Sequence, residues 1–169
     1  MNGLLLIAVL LIAWLGLACY FWQRERGPKA AYDERQEQAR GLAYKYGFLT
    51  LAVCVCLLDT VLTLFPWIGT EAGGFFCLDL GVTVFAVTAI WKDAYLRLYE
   101  KPWEVVTMWG LCGLGGLLYG VFSLRKEGLL VDGMLNLSAV LIVISGSVLL
   151  TLAVFLYRRR AAGREDEEP

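Results

Sequence analysis

Hydrophobic and polar positions fall in long blocks along this chain. Five apolar runs appear: Gly3 to Trp22, Tyr46 to Ile68, Ala72 to Trp91, Trp103 to Phe122, and Leu135 to Tyr157. Each is close to the ~20 residues that a helix needs to cross a ~30 Å hydrocarbon core. None has the polar face of a soluble surface helix. In lipid the backbone must satisfy its own hydrogen bonds, so such runs predict helices. The expected fold is an all-α polytopic membrane bundle with five transmembrane helices. Residues 1–22 form the first helix and 23–45 a basic segment with a short helix. Residues 46–91 form a central hairpin of helices two and three. Residues 92–102 are a loop, 103–157 the last two helices and 158–169 a charged tail. The first run lacks a basic leader and stays apolar for about 20 residues. It therefore reads as a retained anchor, not as a signal peptide cleaved near Ala18.

Lysine and arginine placement predicts the orientation. Arg24, Arg26, Lys29, Arg35, Arg40 and Lys45 follow the first run, and the turn at Gly69 holds no basic residue. Lys92, Arg97 and Lys101 follow the third run, Arg125 and Lys126 the fourth, and Arg158, Arg159, Arg160 and Arg164 the last. With five spans, thirteen basic residues fall on one side and two on the other. The N-terminus is thus expected outside and the C-terminus in the cytoplasm. Trp22, Trp67, Trp91 and Trp103 sit at run ends, as interfacial anchors do. Asp33 followed by Gln36 predicts a capping box. It would open a polar helix that runs into the second span, with Gly41 and Gly47 weakening its continuity. The REDEEP tail is expected to be too polar and short to fold.

Composition agrees with the pattern. The 169 residues are 59% hydrophobic, against ~45–50% for soluble domains. Net charge is −1, which implies no attraction to nucleic acid; the implied partner is the lipid bilayer. The absence of histidine removes imidazole metal and haem ligation and Ser-His hydrolysis. The five cysteines all fall in apolar runs, and Cys54 and Cys56 point to different helix faces. No metal or cofactor is expected.

The stretch from Tyr46 to Trp91 carries the candidate chemistry. Asp59 and Asp79 each lie inside an apolar run, ten residues either side of Gly69. A turn centred there puts them at similar depth, roughly 15 Å along the axis at ~1.5 Å per residue. An ionisable group inside a span is a functional candidate by default. Ala52, Cys56, Asp59, Thr60 and Thr63 share one helical face, which is expected to meet the bundle. Two adjacent carboxylates in low dielectric disfavour double ionisation. The pair therefore reads as interhelical hydrogen-bonding glue, with a proton or cation relay as the sharper alternative and exposure to water near the outer surface as a third. In the third helix Asp79, Thr83 and Ala86 share one face and Gly73, Cys77 and Gly81 another, so that helix should pack on two sides. Gly110, Gly113, Gly116 and Gly120 form a stripe on the fourth. Such stripes usually mean packing within a chain; a homodimer through Gly116 and Gly120 is the minority reading.

Enzyme readings find no support in the motifs. Two intramembrane aspartates suggest an aspartyl intramembrane protease, but Asp79 follows Phe76-Cys77-Leu78, not the required glycine pattern. Ser145-Gly146-Ser147 looks like part of a rhomboid motif, yet no histidine exists to act as base. The serines read as small packing residues.

Four blocks, Asp33-Glu34-Arg35-Gln36, Ala39-Arg40-Gly41, Ala43-Tyr44-Lys45-Tyr46 and Trp91-Lys92-Asp93-Ala94-Tyr95, resemble those of uncharacterised small membrane proteins of Gram-positive bacteria. The similarity spans about residues 32 to 99 and implies a bacterial plasma-membrane location without an activity. An antiparallel hairpin would bring these blocks to one surface. Arg35, Arg40 and Lys45 would stand at one end of it, Lys92, Asp93 and Tyr95 at the other. Ion pairing of Arg40 or Lys45 with Asp93 is the plain expectation, and a contact surface for a cytoplasmic partner the sharper one. The leading class is a non-enzymatic accessory or regulatory membrane subunit. The alternative is a small proton- or cation-coupled transporter working through Asp59 and Asp79, although neither broken helices nor repeats are evident.

Overall fold

The computed structural model describes residues 33–96 and 101–165, with side chains to Ala161 in the last helix. The run from Gly3 to Trp22, the residues around Arg97 and the last four positions lie outside the described residues. Four long helices are present: α1 (Glu34–Leu64), α2 (Thr70–Trp91), α3 (Pro102–Glu127) and α4 (Leu137–Glu165). They correspond to the second through fifth apolar runs, and all four are long and apolar enough to cross a membrane. A 3-10 turn, Pro66–Ile68, joins α1 to α2. A two-stranded hairpin, β1 (Leu130–Val131) and β2 (Met134–Leu135), joins α3 to α4.

Helix α1 begins where the capping pattern says. The Asp33 carboxylate accepts from the Glu34 N–H at 2.7 Å, and the Asp33 N–H donates to the Gln36 side chain at 3.3 Å. The helix then runs unbroken for 31 residues. Gly47 is a packing point, since a Cβ there would meet Phe85 at 2.8 Å and the Gly81 carbonyl at 2.9 Å. Helix α4 continues through Glu165, past the expected end at Tyr157. Extending an existing helix adds one bond per residue fixed, and arginines in its last turns suit the helix dipole.

The helices pack side by side in the order α1, α2, α4, α3. Two antiparallel pairs, α1 with α2 and α3 with α4, are joined through α2 and α4, which run parallel. Helix α2 therefore packs on two sides, as its small residues predict. Gly73 lies against Leu58 and Leu62, and Gly81 against Leu51. The α3 glycine stripe is filled by α4: Gly113 meets Leu149, Gly116 meets Ser145, and Gly120 meets Ile142. Gly116 and Gly120 are thus engaged with α4 within the chain.

The apolar-run pattern passes over the α3–α4 link, but Asp132-Gly133 between apolar residues is the sequence signal of a two-residue hairpin. Asp132 and Gly133 both have positive φ, 52° and 80°, the signature of a type I′ two-residue turn. Met134 of this hairpin sits over Gly69, its sulfur 3.5 Å from where a Cβ would be. The hairpin so covers the α1–α2 turn. Asn136 ties the hairpin to both flanking helices. Its amide donates to Glu127 Oε2 and to the Gly128 carbonyl, each at 3.1 Å, and its oxygen accepts from the Ser138 N–H at 2.9 Å.

Candidate functional site

The two carboxylates within the apolar helices occupy different environments. Asp79 is partly buried and faces α4, where Ser147 Oγ donates to Asp79 Oδ2 at 2.6 Å. That is at the short end for an O–H···O bond. Ser147 also lies 3.2 Å from the Val143 carbonyl, but one hydroxyl proton serves one acceptor at a time, and the carboxyl oxygen is closer. The partner of Asp79 is therefore a serine on another helix, not Asp59. The sequence marks Ser147 only as a hydroxyl inside an apolar run; its pairing with Asp79 follows from α4 lying beside α2.

Asp59 is exposed, and among the described residues no side chain bonds to its carboxylate. Its backbone carbonyl accepts from Thr63 Oγ1 at 2.8 Å within α1. Helix α1 meets α2 through the row Gly47, Leu51, Leu58 and Leu62. Asp59 lies ~100° round the helix from Leu58 and Thr60 further still, at 3.6 residues per turn. Cys56, Thr60 and Thr63 are exposed as well. The expectation that this stripe meets the bundle does not hold for the described helices. Its residues share a face, but the bulkier leucine row flanking Gly47 has the notch that lets α2 approach.

Register moves the aspartates apart in depth too. Leu58 packs at Gly73, and Leu51 at Gly81. The hairpin thus turns at Phe65 and Pro66, not at Gly69, because the 3-10 turn and Gly69 serve as the lead into α2. Asp79 falls level with about Ala52, some seven residues from Asp59, or ~10 Å along the axis at ~1.5 Å per residue. The similar depth expected from symmetry about Gly69 is corrected accordingly. Asp59 sits nearer the turn end, and Asp79 deeper.

The opposite end of the bundle brings three helices together. Helix α2 closes with a Schellman motif: the Asp93 N–H donates to the Ile90 carbonyl at 3.1 Å, and the Ala94 N–H to Ala89 at 2.9 Å. The left-handed position, which usually takes glycine, is Asp93 with φ 55°. Ala94 is fully buried behind it. The Asp93 carbonyl accepts from Gln36 Nε2 at 3.0 Å, so the first and last resembling blocks do touch. The Asp93 carboxylate pairs with Arg158 of α4 at 3.1 Å, and not with Arg40 or Lys45. Arg40 instead donates to the Tyr44 hydroxyl at 3.4 Å one turn along, and the Tyr44 ring stacks on Phe85 at 4.5 Å. Parallel α2 and α4 put both C-terminal ends on one side, which makes Arg158 the nearer cation. Tyr95 packs edge-on against Trp109 of α3, with centroids 4.9 Å apart. Arg35, Lys45 and Lys92 are exposed. Of the six expected surface residues, Asp93 and Tyr95 bind the helices together, while these three remain on the outside.

No family model, curated protein or solved structure matches the chain. What the chain offers chemically rests on its own geometry. That geometry provides one carboxyl held by a serine at the α2–α4 seam and one carboxylate exposed on an apolar helix. It also provides a basic end knitted by Gln36, Asp93 and Arg158.

Proposed function

We propose that the chain is a non-enzymatic accessory or regulatory subunit of a membrane complex, and that the Asp59 face of α1 docks a partner's transmembrane helix. The observation that carries this reading is the exposure of Asp59, with Cys56, Thr60 and Thr63 beside it, on a helix whose other side is packed on α2. An ionisable side chain in an apolar span is costly when it faces lipid, and such groups pair with one another or line a polar path. The complementary occupant is a helix that brings a lysine or arginine, or a stripe of hydroxyl and small residues, to that depth. Within the same proposal, Gly3 to Trp22 adds a fifth span, with the N-terminus outside and the C-terminus in the cytoplasm. The charge pattern supports it: Arg35, Arg40, Lys45, Lys92, Lys101 and Arg158 to Arg160 gather at one end, and Arg125 and Lys126 at the other. A bacterial plasma-membrane location follows from the resemblance of the sequence blocks. The transport alternative needs both aspartates in one site. Their separation along the axis, and the engagement of Asp79 by Ser147, favour the accessory reading.

The test is photocrosslinking from position 60 or 63 in native membranes, together with purification of the full chain. The expected result is a stoichiometric membrane partner that crosslinks from these positions and is lost in Asp59→Leu. A crosslink to the chain's own first apolar run would show that the face is filled from within, and would refute the docking reading. Cysteines placed at 35, 92 and 160 should resist an impermeant external reagent, while one at 71 should react; the reverse would overturn the orientation.

A further inference from the structure

A second feature lies at the basic end, away from Asp59. A cavity of about 300 Å³ opens between the C-terminal ends of α2 and α4 and the start of α3. Its apolar lining is made by Ile90, Phe155 and Pro102, and it also carries Arg158 and Arg159 with Tyr95 and Asp93. Among the described lining residues, two arginines stand beside one aspartate. Asp93 engages Arg158 through one carboxylate oxygen, and its side chain is 63% exposed, so it lies at the rim. Trp91 and Trp103, both exposed, stand at the same end of the bundle, at the end of α2 and the start of α3. Tryptophans at span ends sit at headgroup level. The cavity thus combines arginines with a largely apolar lining at a helix end where interfacial tryptophans stand.

We propose that this cavity is a binding site for an anionic phospholipid of the leaflet on the basic side. Its phosphate would lie on the Arg158 and Arg159 guanidiniums and the top of its acyl chains on Ile90 and Phe155. Guanidinium groups match phosphate oxygens by paired hydrogen bonds, and basic pockets between transmembrane helices on the cytoplasmic side suit acidic headgroups. A free phosphate shares the charge but has no use for the apolar lining. The volume is at the small end for ligand sites, which fits a glycerophosphate headgroup.

The experiment uses the full chain in nanodiscs of phosphatidylcholine with and without phosphatidylglycerol. The readout is the lipid retained through detergent extraction, measured by native mass spectrometry. Wild type should retain phosphatidylglycerol in preference to phosphatidylcholine. Retention should fall about fivefold in Arg159→Gln and about thirtyfold in the Arg158→Gln/Arg159→Gln double variant. Arg159 is exposed and outside the Asp93 pair, so its single variant tests the site with the helix contacts intact. Arg160→Gln and the Arg125→Gln/Lys126→Gln pair should retain lipid as wild type does. Equal retention of the two lipids, or an equal loss in Arg160→Gln and Arg159→Gln, would overturn the proposal. So would displacement of phosphatidylglycerol by millimolar inorganic phosphate, which would mark the cavity as a soluble-anion site.

Discussion

Replacing Ser147 by alanine removes the hydroxyl that donates to Asp79 at 2.6 Å and leaves the helix backbone of α4 intact. Among the described residues no other side chain bonds that carboxyl, so it loses its interhelical partner in an apolar helix. Interhelical hydrogen bonds in membranes average ~0.6 kcal/mol and reach ~1.7 kcal/mol. The short distance and the carboxyl acceptor place this one in the upper half of that range. Ser147→Ala should therefore destabilise the chain by about 1 to 1.7 kcal/mol. Asp79→Asn keeps an acceptor for the serine and should cost less than Asp79→Leu, which keeps none. The decisive quantity is the coupling in a double-mutant cycle of Ser147→Ala with Asp79→Leu. It should be at least ~0.6 kcal/mol, whereas Ser147→Ala with Asp59→Leu should be additive within ~0.5 kcal/mol. Reversible unfolding of the full chain by denaturant in detergent micelles measures all of these. A Ser147–Asp79 coupling below ~0.3 kcal/mol, or one matched by Asp59, would refute the assignment of the bond.

Gly120→Ala should destabilise α3–α4 packing by about 1 to 3 kcal/mol in the same unfolding titration. Its Cβ would meet Ile142 at 2.7 Å and the Ser138 carbonyl, which cannot rotate away, at 3.1 Å. Gly115→Ala has no atom within 4 Å of its Cβ and should be neutral or stabilising by up to ~1 kcal/mol through helix propensity. At the α2 terminus, Asp93→Gly loses the Arg158 pair, worth at most ~1 kcal/mol at such exposure, but relieves a left-handed position. Asp93→Ala loses the pair and keeps the strain, so it should be the less stable of the two by about 1 kcal/mol; equal stabilities would rule out that account of the motif.

The sequence by itself determined which segments become helices and where several of them begin and end. Unbroken apolar length does this, because a span must satisfy its own backbone. Asp33 and Gln36 carried their capping geometry in three residues of spacing, and the α2 and α3 glycines marked close approach within the chain because only small residues permit it. The resembling blocks at the two ends of the hairpin were legible as neighbours, since an antiparallel pair returns to one surface. What only the tertiary structure decided was how each helix is rotated and how far it slides along its neighbour. In a helix apolar nearly all round, no face is marked as the buried one. The polar stripe through Asp59 and the leucine row through Leu58 were both candidates until α2 docked on the second. The axial shift of ~10 Å between Asp59 and Asp79 depended on a three-residue 3-10 turn whose centre hydropathy does not mark. Ser147 for Asp79 and Arg158 for Asp93 followed from α2 and α4 lying parallel and adjacent. Those contacts join residues more than sixty positions apart. Interhelical packing selects among such pairings, and local patterning contains no term that distinguishes them.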